Sequence, residues 1–148
     1  MRRSRSLALV LGVSALLAAR AAAADPAEGE WLVQDGKARV RIAPCAGRPE
    51  RLCGAVVWLG QPRDEDGGIR VDDHNPDPAL RNRPLLGLEL IRDFRSAGPG
   101  RWEGGKIYDP NTGRTYASRM RVLADGALKV DGCVLMFCQG QTWRRVRR

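Results

Sequence analysis

The chain has 148 residues, and its first 24 read as a removable export signal, which leaves 124 residues, the size of one domain and too few for a multi-domain enzyme. All 17 acidic residues follow the signal, whereas four of the 25 basic ones (Arg2, Arg3, Arg5 and Arg20) lie in it, so cleavage lowers the formal net charge from +8 to +4. Aromatic residues make up 5% of the chain and the arginines alternate with acids, which argues against a stacking platform for nucleic acid.

Arg2, Arg3 and Arg5 form a positive start, residues 7–19 an apolar run, and Ala22-Ala23-Ala24 a small-residue cleavage site before Asp25. Cleavage is expected after Ala24, with release into the periplasm or the medium. A membrane anchor is the competing reading, but the run is well short of the roughly 20 residues that span a bilayer. No long apolar stretch follows, so no membrane span is predicted for the mature chain.

The mature chain lacks helical periodicity, and Gly and Pro recur between short alternating runs, the pattern of an all-β domain. Residues 37–42 are the clearest strand, with Ala38, Val40 and Ile42 on one face and Lys37, Arg39 and Arg41 on the other. Asp35-Gly36 before it predicts a hairpin with residues 30–33. Cys45 and Cys53 follow, and residues 52–59 make a third strand.

Residues 60–84 break the pattern. Six acids (Asp64, Glu65, Asp66, Asp72, Asp73 and Asp77) stand against Arg63, Arg70, Arg81 and Arg83, with His74-Asn75-Pro76-Asp77-Pro78 between them. A loop of this length is a lid, a binding loop or a disordered segment. The apolar residues from Leu80 to Leu86 predict that its second half is pinned to the domain.

Strands are next expected at residues 85–91 and 106–108, the latter joined through Asp109-Pro110-Asn111-Thr112-Gly113 to residues 114–123, where Tyr116, Ser118, Met120 and Val122 share a face. Asp125-Gly126 turns the chain into residues 127–130, and residues 141–146 end it. Cys133 and Cys138 lie between those last two strands. With Cys45 and Cys53 they form two close pairs, and pairing within each is the simplest of three connectivities. In an oxidising compartment each staple would contribute about 2 to 2.6 kcal/mol. A zinc site fits less well, because neither spacing is C-x-x-C and the one histidine, His74, is remote from both pairs; the same spacing argues against a redox-active pair.

Eight strands are the number at which an antiparallel sheet closes on itself, so the expected fold is all-β, a small up-and-down barrel with one long loop. Gly29-Glu30-Trp31 resembles the G-x-W signature of lipocalin-like barrels, and Trp143-Arg144-Arg145 resembles their closing arginine; this implies Trp31 buried against Arg145, with Trp143 beside the closure. A sandwich with Trp31 and Trp143 as ordinary core is the competing architecture.

A wider resemblance spans nearly all of the mature chain. Cys45 through Cys53-Gly54 and Trp58, Asn75-Pro76-Asp77-Pro78 with Leu80-Arg81, Arg83-Pro84-Leu85-Leu86-Gly87, Gly104-Gly105-Lys106-Ile107-Tyr108-Asp109-Pro110 with Gly113 and Tyr116, and Gln141-Thr142-Trp143 together resemble the domain-of-unknown-function family 2147. The resemblance implies an exported bacterial protein with a compact β-rich fold, and it supplies no catalytic residue. His74 departs from the residue that other members often carry there.

Asp72, Asp73, His74 and Asp77 have the composition of an acid/base cluster, yet no nucleophile accompanies them: Ser96 and Ser118 are the serines after the signal, and neither sits in a nucleophile elbow. Asx turns stiffened by Pro76 and Pro78 are the better reading, with Asn75, Asp77 and Arg81 holding the loop first and, with Trp102, Tyr108 and Tyr116, serving as the candidate ligand-binding residues. Asp64-Glu65-Asp66-Gly67-Gly68 lacks the ligand ladder of a calcium loop. Trp102, Tyr108 and Tyr116 are expected to line one end of a barrel cavity. Arg144, Arg145, Arg147 and Arg148 form a basic tail able to meet anionic lipid or cell-wall polymer, or simply to fray. The expected function is therefore non-catalytic and cofactor-free binding of a small apolar or lipid-like ligand. The alternative is an envelope protein-interaction or structural module with a filled barrel.

Overall fold

The computed structural model describes residues 24–147, so the predicted signal segment lies outside the described residues except for Ala24. Eight strands, β1 (Gly29–Leu32), β2 (Ala38–Cys45), β3 (Arg48–Leu59), β4 (Glu89–Ser96), β5 (Arg101–Asp109), β6 (Arg114–Val122), β7 (Leu128–Val134) and β8 (Phe137–Arg145), pair antiparallel in chain order. β8 returns to β1 and closes the ring. The only helical element among the described residues is one 3₁₀ turn, Pro78–Leu80, and none is long and apolar enough to cross a membrane.

Local chemistry explains most of the ring. In β2 the buried Val40 and Ile42 alternate with outward arginines. Asp35 Oδ1 accepts from the Lys37 amide at 3.0 Å and Asp125 Oδ1 from the Ala127 amide at 3.0 Å, so each Asp-Gly pair closes its turn through its own side chain. Asp109 does the same for the longer β5–β6 turn, accepting from the Asn111 amide and the Thr112 hydroxyl.

Several strands differ from the sequence expectation: β5 begins at Arg101 rather than Lys106, and β7 runs on to Val134 rather than ending at Val130. β4 occupies Glu89–Ser96 rather than residues 85–91, because Asp93 takes a positive φ of 62° and interrupts the alternation, letting Ile91 and Phe94 both point inward three residues apart. β3 begins at Arg48, and β8 at Phe137 rather than Gln141.

The interior is filled by large side chains. Trp31, Trp143 and Phe94 are fully buried, as are Ile42, Ile91, Leu128, Val40 and Val130, and Trp102 is 2% exposed. Gly105 belongs to this packing: a Cβ there would overlap the Phe94 ring.

Closure depends on Arg145. Its guanidinium carbon lies 4.2 Å from the centre of the Trp31 ring, while Nη1 donates to the Glu28 carbonyl at 2.8 Å and Nη2 to the Pro26 carbonyl. A Cβ on Gly29 would stand 2.6 Å from Nη1. The G-x-W motif therefore reads as a glycine that makes room, a tryptophan that offers its face, and an arginine between them. Arg145 is thus part of the closure and not of a free basic tail. Cys45 is bonded to Cys53 across β2 and β3, and Cys133 to Cys138 across β7 and β8.

Trp31→Ala is expected to cost about 3 to 5 kcal/mol in urea unfolding. Arg145→Met, which keeps the stacked stem and removes the donors, is expected to cost about 1 to 3 kcal/mol. Unchanged midpoints for both would mean that closure does not rest on this contact.

Candidate functional site

In an up-and-down barrel, alternate connections share an end. The β1–β2, β5–β6 and β7–β8 turns emerge at the same end as the long β3–β4 connection, residues 60–88. This connection is a strap held by its own bonds. Arg63 bridges to Ile69 and Val71 to Pro84. Asp64 accepts from the Gly68 amide at 2.7 Å, so the acidic turn spends a carboxylate oxygen on its own backbone.

The strap is anchored by one buried carboxylate. Asp72 is fully buried and accepts from the Tyr108 hydroxyl at 2.6 Å, Asn75 Nδ2 at 2.7 Å, Arg83 Nε at 2.9 Å and Arg83 Nη2 at 2.7 Å. Asn75 Nδ2 also donates to Tyr108 Oη at 3.2 Å. Around this centre Asn75 Oδ1 accepts from the Asp77 amide, the Asn75 carbonyl accepts from Arg81 Nε at 2.8 Å, and Asp77 Oδ1 accepts from the Ala79 amide to cap the 3₁₀ turn. Gly113 of the β5–β6 turn approaches so closely that a Cβ there would overlap the His74 carbonyl.

Burial by itself raises the Asp72 pKa, but the hydrogen bonds from Tyr108, Asn75 and Arg83, with the Arg83 charge, together hold it below the ordinary 3.8. Tyr108 moves the other way, because burial and the facing carboxylate push its phenol above 10.0. Every oxygen of Asp72 is engaged and none reaches solvent. His74, exposed, bonds to the exposed Asp73 at 2.9 Å, so the four groups of the acid/base reading do not converge on one point. Ser118 is committed to the Asp131 carbonyl at 2.6 Å.

The three aromatics expected to share a cavity are apart. Trp102 begins β5 at the opposite end and donates to Asp25 Oδ2 at 3.2 Å. Tyr108 ends the same strand beneath the strap. Tyr116 is paired with Ile107 in register, which puts it on the face opposite Tyr108. A depression of about 630 Å³ does touch Tyr116, but its exposed lining of Gly104, Lys106, Thr115, Ala117 and Arg119 puts it on the outer wall. A second, of about 380 Å³, lies against Glu28–Glu30, Arg41 and Arg145. Asp93 approaches the Cys45 and Cys53 sulfurs, but those sulfurs are bonded to each other and the carboxylate pairs with Arg48 at 2.6 Å, leaving no metal-ligand set there.

Sequence reasoning named Asn75, Asp77 and Arg81 as the residues that hold the loop, and gave Asp72, Arg83 and Tyr108 other places without foreseeing that they meet. Arg83 and Tyr108 gather on Asp72 from 11 and 36 residues away. Also unnoticed was the β7–β8 turn, where Val134, Leu135, Met136 and Phe137 all stand in solvent. The signal was present as four apolar residues enclosed by Cys133 and Cys138.

The model of the family described as "Uncharacterized protein conserved in bacteria (DUF2147)" matches residues 29–145. No curated protein matches the chain. Among solved structures the chain is similar to the Helicobacter pylori protein HP1028, described as belonging to the lipocalin family, with 24% identity, a TM-score of 0.67, and coverage of 81% of this chain and 82% of that one. That likeness concerns the fold.

Because the folded Asp72 pKa lies below its unfolded value, its contribution to stability is complete above 3.8 and is lost as pH falls through the lower folded value. Tyr108 contributes at the other limb: its raised pKa makes stability fall as pH rises past 10.0. Asp72→Asn is expected to flatten the acid limb and to lower stability at neutral pH by about 1 to 3 kcal/mol. Urea titrations across pH check this; an acid limb as steep as in the parent would remove Asp72 as its source.

Proposed function

This chain belongs to the bacterial DUF2147 family, and from that premise we propose that it is an exported, non-catalytic barrel with a solid interior that acts through the surface of its strap-bearing end. Two disulfides indicate an oxidising environment outside the cytoplasm. The observation that carries the reading is the filling of the barrel by Trp31, Trp143, Phe94 and Trp102, with both prominent depressions on the outside. Eight-stranded barrels either fill themselves or hold one small ligand, and these side chains favour the first. The saturated bonds of Asp72 support a scaffold role over proton transfer.

A specific observation favours a second reading, that of a small apolar ligand. Val33, Ala38, Leu59, Leu85 and Ile107 are partly buried apolar residues packed against the core, an apolar margin on which a fatty or aromatic molecule could rest, and lipocalin barrels hold small ligands. The mature protein, titrated with a fluorescent acyl probe such as dansyl-undecanoic acid and sprayed in native mass spectrometry, is expected to show neither saturable one-to-one binding nor a co-purifying molecule. One equivalent of probe, displaced by palmitate, would overturn the solid-barrel reading in favour of the second.

A further inference from the structure

We infer that the disulfide-stapled β7–β8 turn is a membrane-contact tip that inserts into the interfacial layer of an anionic phospholipid bilayer. This deepens the surface-acting reading by naming the surface. Val134 is 57% exposed, Leu135 93%, Met136 92% and Phe137 82%. Cys133 and Cys138 are paired in register and bonded directly behind them, and Val134 pairs with Phe137 to close a two-residue turn.

Folding gains little from these four side chains, since they touch so little of the protein. It also pays for one of them, because Leu135 takes a φ of 53°, a left-handed conformation that Asn or Gly adopts at low cost and a bulky residue rarely adopts. The other turns at this end carry Asp35 and Asp109, whereas the chain has no charged residue from Gly132 through Trp143.

The shape and the surrounding charge select the occupant. The tip is a convex knob of a few residues, far from the roughly 800 Å² per partner that a stable protein interface buries. It stands about two residues, or about 7 Å, beyond the Cys133–Cys138 pair at strand rise, within the depth of about 5 to 10 Å to which apolar faces enter the headgroup boundary. Beside it on the ring, Arg114 opens β6 and Lys106 lies across from Ala117, the register partner of Cys133. Both are exposed, and neither is in an ion pair among the described residues. The nearest acid on β7, Asp131, is engaged by Arg119 at 3.1 Å and Lys129 at 4.0 Å. The acidic turn at Asp64 belongs to the β3–β4 connection, half the eight-stranded ring away from β7 and β8. An apolar tip flanked by free cations complements acyl chains beneath phosphate headgroups.

Flotation of the mature protein with vesicles tests the inference, using phosphatidylcholine alone and phosphatidylcholine containing phosphatidylglycerol. Partitioning onto the phosphatidylglycerol vesicles is expected to be about tenfold or more stronger than onto phosphatidylcholine alone, and to weaken in salt. The double variant Leu135→Gly, Met136→Asn puts glycine at the one turn position with positive φ, so it is expected to fold at least as well as the parent and to lose about tenfold or more of the partitioning. Arg114→Ser is expected to reduce binding to the phosphatidylglycerol vesicles. Equal binding by parent and double variant, equal binding to both vesicle types, or no binding would each overturn the inference. So would a concentration-dependent dimer that the double variant abolishes, since the tip would then be a self-association site. The acyl-probe titration is read without vesicles, so failure of the solid-barrel reading and failure of the tip are separate results.

Discussion

The ring exists only if its first and last strands meet, and their meeting is narrow. β1 has four residues and shares two register pairs with β8, Trp31 with Arg145 and Leu32 with Arg144. Two pairs would be a weak seam by themselves. The stacking of Arg145 on Trp31, its two bonds to carbonyls before β1, and the empty space at Gly29 turn it into a packed joint. Without that joint the core loses a fully buried tryptophan and two strand edges open to pairing with other chains.

The two ends of the barrel do different work. At the closure end, Trp31, Arg145 and the Trp102–Asp25 bond fix the floor. At the other end the strap is held by polar chemistry: a carboxylate out of water, fully satisfied by four donor contacts. Such a network costs desolvation and returns definite geometry, so this end has a fixed shape without any ligand. A rigid rim from which one stapled apolar turn protrudes is suited to contact rather than to enclosure.

The fold was legible in the sequence because the signals that set it are local. Alternation in residues 37–42, two Asp-Gly turns and the paired G-x-W and W-x-R motifs each act over a few residues, and the match of family and fold follows from them. What stayed hidden depends on register. Tyr108 and Tyr116 lie on neighbouring strands, but the four-residue turn between β5 and β6 pairs Tyr116 with Ile107, and that single step sends the two rings to opposite faces. β4 was misplaced because Asp93 breaks the period-two pattern that would have revealed it. Asp72 looked like one acid among six, since nothing in composition distinguishes the one that Tyr108 and Arg83 will surround.

Every strand pairing except one joins neighbours in the chain, and the two disulfides close separations of only 8 and 5 residues. Assembly can therefore keep pace with the arrival of the polypeptide. Each hairpin, and each sulfur bridge within it, forms as soon as its second strand is present, with little loop entropy to overcome. The exception is the seam. β1 comes first and waits for Arg144 and Arg145 at the end of β8, so a chain lacking the last residues of that strand would hold its local hairpins and still be an open ribbon. Completion of the ring thus comes after every local hairpin and depends on the last strand.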